Sequence, residues 1–173
     1  MKALSFWKAI TMDKADLLSD LLARLRENGI RFCVIGGQAV NAYVEPLVSL
    51  DLDIVVAVDQ IDQVRKLVER RFNVEEFPNS LNISTADSDL RIQIQIDPRY
   101  ADFVERASVR QVLGLELPVA AIEDVLQGKT WAAISPGERA TKRRKDLLDI
   151  ERILAAHPKL RSRVPDEILL QLS

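Results

Sequence analysis

Two aspartates set two residues apart in an otherwise apolar run constrain this chain more than any other feature. The run reads Ser49-Leu50-Asp51-Leu52-Asp53-Ile54-Val55-Val56 and predicts a strand over 50–58. Strand side chains alternate, so Asp51 and Asp53 leave one face while Leu50, Leu52 and Ile54 leave the other. The apolar row demands a core beneath it. The acidic row sets two like charges side by side, an arrangement that resists burial unless a cation sits between them. A divalent ion with oxygen ligands suits such a pair. The same pattern also fits two carboxylates at a strand end facing water.

The rest of the chain supplies the other parts of a layered fold. Leu17, Leu18, Leu21, Leu22 and Leu25 recur at helical spacing, which predicts a helix over 14–28, with Asp13 as its N-cap and Asn28-Gly29 as its stop. Residues 30–35 form a short apolar run, read as a buried strand and broken by Gly36-Gly37. A short helix over 38–44, ended by Pro46, precedes the aspartate strand, and a helix carrying Val64, Leu67 and Val68 follows it. Strands over 81–85 and 90–96 form a hairpin across residues 86–89. Residues 109–119 add short strands, and helices are expected over 122–134, 138–155 and 165–172. The fold class is therefore α+β: a small mixed sheet with helices packed on it. Residues 1–120 form the α/β core, and 121–173 a helical segment packed upon it.

Composition narrows the chemistry. The lone cysteine, Cys33, forms no intrachain disulfide and points to a reducing, cytoplasmic setting. The lone histidine, His157, excludes a multi-histidine zinc site. A net charge of −2 argues against wholesale binding of nucleic acid. No apolar run is long enough for a membrane helix, and the N-terminus carries no signal-peptide pattern. Catalysis must then rest on carboxylates, lysines, arginines, hydroxyls or a bound metal. The strand Leu90-Arg91-Ile92-Gln93-Ile94-Gln95-Ile96-Asp97 ends its polar face on Asp97, a third carboxylate if it pairs beside Asp51 and Asp53, or a turn-former before Pro98. The glycines of Gly36-Gly37 would let a phosphate approach the backbone, although a tight turn is the commoner meaning. Lys129, Trp131 and Lys145 converge if the last two helices pack together; a run of four basic residues, Lys142 to Lys145, is otherwise a solvated face.

Taken together, these features resemble the nucleotidyltransferase superfamily with the DNA polymerase β-like fold. The nearest look is to minimal nucleotidyltransferases and AbiEii-type abortive-infection enzymes. The order matches: apolar strand, Gly36-Gly37, short helix, Ser49-x-Asp51-x-Asp53, then a later strand ending in an acid. The segment running from Ile122 through Lys129 to Lys145-Asp146-Leu147-Leu148-Asp149-Ile150 is also similar. Leu47 departs from the group, which often carries arginine two residues before the Ser or Thr. The resemblance implies transfer of NMP from an NTP to an acceptor hydroxyl of a protein, an RNA or a small molecule, with release of pyrophosphate. It implies Mg²⁺ or Mn²⁺ on Asp51, Asp53 and Asp97, with Asp97 helping to deprotonate the acceptor. Nucleotide would meet Gly36, Gly37, Ser49, Lys129 and Lys145. The alternative is a non-catalytic module of the same fold, such as one partner of a toxin–antitoxin pair.

Overall fold

The computed structural model describes residues 16–172. The predicted N-cap Asp13 lies outside them. The leucine stripe forms helix α1 (Leu17–Glu27) with all five leucines buried, and Asn28 and Gly29 close it by donating to the carbonyls of Arg24 and Arg26. Gly29 sits at φ 64°, a left-handed conformation that glycine adopts without penalty. Strand β1 (Phe32–Ile35) is buried at every residue. Helix α2 (Gly36–Asn41) starts directly on the two glycines and leads to β2 (Asp51–Val56), which carries the aspartate pair. Helix α3 (Ile61–Glu69) buries Val64 and Val68. Strands β3 (Asn73–Phe77), β4 (Ser80–Ser84) and β5 (Arg91–Gln95) follow. A single turn of helix, α4 (Phe103–Arg106), leads to the hairpin β6 (Ser108–Val112) and β7 (Leu115–Val119). Helices α5 (Ile122–Ile134), α6 (Ala140–Ala156) and α7 (Asp166–Leu169) end the described chain.

The strands make one mixed sheet in the order β3-β4-β5-β2-β1-β7-β6. β2 lies between β1, antiparallel to it, and β5, parallel to it. The expected hairpin of β4 and β5 is present, with Ser80 opposite Gln95. Leu52, Ile54, Leu81, Ile83, Ile92 and Ile94 share the apolar side of β2, β4 and β5 and are buried, in one core with the stripe of α1 and with Val64 and Val68 of α3. Helices α2, α5 and α6 contact one another, and α2 also lies against β1 and β2.

Candidate active site

The site grows out of the junction between β1 and α2. Ile35 pairs with Asp53 across the antiparallel ladder, so the chain leaves β1 beside that aspartate and turns at once. Gly36 makes the turn at φ 68°, and a Cβ there would run into the Asp53 carboxylate, with its Cβ and Cγ only 3.1 Å away. No side chain fits, which is why glycine stands here. A Cβ at Gly37 would lie in ordinary contact, 3.6 Å from Ser49 Oγ and 4.0 Å from Asp149 Oδ2, which places Ser49 and α6 beside the turn. Gln38, itself buried, donates from Nε2 to the Ser49 carbonyl at 3.2 Å and holds the entry to β2. Gly36, Gly37, Ser49 and Asp53 are thus assembled at one place, with Asp51 two residues along the same strand face.

The two aspartates differ in environment. Asp51 pairs with Arg91 of β5 at 2.9 Å, and both side chains are well exposed. Burial lifts the Asp53 carboxyl to about 6; Lys129 and Lys142 pull against that rise, while Asp51 and Asp146 add to it. Both oxygen donors come from one strand face, the donor chemistry of a hard divalent ion rather than of zinc or copper. Among the described residues, no three acidic, histidine or cysteine side chains gather closely enough to hold an ion.

Asp97 stands apart from the pair, despite being expected to join it. It follows the end of β5 and caps the turn there: its Oδ1 accepts from the Arg99 amide at 2.9 Å, and its Oδ2 meets the Arg99 guanidinium at 2.9 Å. Burial opposes its charge, but the Arg99 donors outweigh burial and hold the carboxyl below its usual range. The strand pairing was as expected; Asp97 lies four residues beyond Gln93, the partner of Asp53, roughly 13 Å along the strand. Of the two expected lysines, Lys145 is exposed. Lys129 is almost fully enclosed between two carboxylates of α6, with Asp146 Oδ1 and Asp149 Oδ2 each at 2.9 Å. Burial disfavours its charge, but the two acids prevail and raise its pKa well above the usual lysine value.

Several residues at the site escape a reading of the sequence. Asp146 is buried, and its Oδ2 has no hydrogen-bond partner. Asp149 also accepts from Arg152 at 2.7 Å; Arg152 in turn reaches Asn41 Oδ1 at 3.0 Å and the Glu45 carbonyl. Asn41 clasps Leu47 in both directions, at 2.7 and 3.0 Å. Lys142, one turn before Asp146, is the α6 lysine whose charge reaches Asp53. In the sequence these groups look like an ordinary charged helix face; only the helical spacing of 142, 146 and 149 hints that they act together.

No family model matches the sequence, and no curated protein sequence matches it either. Solved structures do. The lincosamide antibiotic adenylyltransferase LnuA superposes with a TM-score of 0.54 at 13% identity, over 83% of this chain and 99% of that one. The antibiotic-resistance factor ANT(2'')-Ia gives 0.53 at 15% identity, over 85% and 90%. An antigenic nucleotidyltransferase-like protein from Paracoccidioides brasiliensis gives 0.52 at 15%, over 89% and 90%. At such identities the likeness shows the fold: the mixed sheet and its helices are those of nucleotidyltransferases.

Proposed function

We propose that this protein is a metal-dependent nucleotidyltransferase that moves NMP from an NTP to an acceptor hydroxyl. The observation that carries the reading is the Gly36 turn seated against the Asp53 carboxylate, on the strand face that Asp53 shares with Asp51. A turn with no side chain leaves backbone amides of the first helical turn open to phosphate, and the adjacent acids are placed to hold the cation that accompanies it. Asp51 and Asp53 would hold a divalent ion that screens the phosphate charge, while the acceptor oxygen displaces pyrophosphate from the α-phosphorus and its proton passes to solvent. Lys142, paired with Glu138 at 3.1 Å, adds positive charge that reaches Asp53, while Lys129 holds α6 in place through Asp146 and Asp149. The neighbours named as adenylyltransferase and antibiotic-resistance factor support a small-molecule acceptor, with protein and RNA hydroxyls as the other candidates. The finer kinship with AbiEii-type enzymes and a cytoplasmic location belong to the same proposal; a toxin or antitoxin partner belongs to its alternative, a non-catalytic module of the same fold. Among the described residues no helix is long and apolar enough to cross a membrane.

A second reading, a nucleotide-binding module without transfer, is favoured by one observation: the carboxylate expected to complete the site, Asp97, is tied to Arg99. One experiment separates the two. The protein is incubated with each α-labelled NTP, Mg²⁺ or Mn²⁺ and cell extract. Label moved to an acceptor supports transfer; nucleotide-induced thermal stabilisation without moved label supports the module; neither result removes both.

A further inference from the structure

The pairing of β2 with β5 decides which side chain stands beside each aspartate. Asp51 lies next to Arg91, and Asp53 next to Gln93. Paired residues in a sheet project to the same side, so the flanks of the acidic pair are a guanidinium and a carboxamide. One strand further out, Asn82 pairs with Gln93, and Glu75 of β3 pairs with Asn82. The row through Asp53 therefore reads Asp53, Gln93, Asn82, Glu75. With strands about 4.8 Å apart, its far carboxylate stands ~14 Å away. Asn82 Oδ1 is buried with no hydrogen-bond partner, two strands from Asp53.

Charge and ligand count then set how many ions the site takes. Two divalent ions ~3.5–4 Å apart carry four positive charges and need carboxylates that bridge them. A single Mg²⁺ is satisfied by one or two carboxylates together with phosphate oxygens and water. Here Asp51 and Asp53 are the two carboxylates that stand together on the strand face, Glu75 being ~14 Å off along the row, and Asp51 already shares its charge with Arg91. We propose that the site holds one divalent cation on Asp51 and Asp53, and that the Gln93 carboxamide stands where a second ion would require a carboxylate. The inference rests on the nucleotidyl-transfer reading only in assigning a triphosphate to complete the ion's shell.

The test uses Mn²⁺ alone, titrated into the full chain at neutral pH and followed by the electron paramagnetic resonance of the free ion. The expected result is one ion per chain, lost in the double variant Asp51→Asn/Asp53→Asn. Gln93→Asp should bind its first ion at least about tenfold tighter, or admit a second. Gln93→Glu repeats the test with a longer reach, and thermal melts establish which variants are folded. Two ions in the unaltered protein, no ion in it, an ion retained by the double variant, or folded Gln93→Asp and Gln93→Glu proteins that bind as the parent does would each overturn the proposal. The labelled-NTP assay fails or succeeds separately: absent transfer with the expected ion count defeats the enzymatic reading and leaves the one-ion site standing.

Discussion

Asp53 holds a charge that its surroundings oppose. Its carboxyl titrates near 6 because burial outweighs the nearby lysines, whereas an unfolded aspartate titrates near 3.9. A folded-state pKa above the unfolded one means that the native state binds more protons between those values. The ligand-free protein should therefore lose stability as pH rises from about 4 to about 6. Asp53→Asn removes that loss. Its melting temperature should match the parent's near pH 4 and exceed it near pH 7, where the variant is more stable by on the order of 1–3 kcal/mol; equal melts at both pH values would show that the carboxylate carries no such strain. Gly36→Ala acts in the opposite direction. Its backbone lies at φ 68° and its Cβ would meet Asp53, so it should destabilise by at least about 1–2 kcal/mol and abolish nucleotide binding, read by melting and by titration with NTP and Mg²⁺. Both residues were legible in the sequence, because alternation along one strand and a glycine pair after another are local patterns. Gln93 was legible as a residue of a polar strand face, but not as the neighbour of Asp53, which depends on strand register. Asp97 was misleading because an acid ending a polar strand face and a turn-former before Pro98 look alike in sequence, and it is Arg99, two residues on, that ties the carboxylate into the turn.

Among the elements, the seam between α5 and α6 matters most. Lys129 is enclosed by Asp146 and Asp149, so Lys129→Met leaves the buried Asp146 without its ion-pair partner beside Asp149, which keeps Arg152. Breaking a buried pair from one side costs about 3–5 kcal/mol, and a chemical-denaturation curve should show a loss of that order. On the outer part of α6, Lys142→Ala should weaken nucleotide binding by about 3–10-fold, as a partly exposed contact to phosphate would. Lys145→Ala, on an exposed position, should change it far less; isothermal titration of the two variants decides the order. The long helices were readable from apolar spacing, and α5 begins and ends at the residues expected. Strand β3 was not: Asn73-Val74-Glu75-Glu76-Phe77 is a sheet edge paired only with β4, and charges on an edge strand erase the alternation that marks an inner one.

For the molecule as a whole, ligand binding and stability are one measurement. If the cleft takes NTP with Mg²⁺, saturation to 100 times the dissociation constant adds about 2.7 kcal/mol. For a chain of this size that is a rise of about 5 °C or more in melting temperature. No rise with any of the four NTPs would remove the nucleotide from the proposal. The order of elements was enough to anticipate the architecture, because a glycine turn, an aspartate strand and late helices occur in sequence. What the chain order does not carry is closure. Arg152 reaches Asn41, 111 residues earlier, and through it the loop that leads into the aspartate strand. That single clasp has a bearing on the protein's birth. As the chain leaves the ribosome, the glycine turn and both aspartates emerge long before α6, the helix that brings Asp149 and Lys142 to them. A nascent chain halted before α6 would display the acids with the loop unpinned and the lysine cage unmade, so the capacity to handle a nucleotide should arrive abruptly, only once α6 has been synthesised.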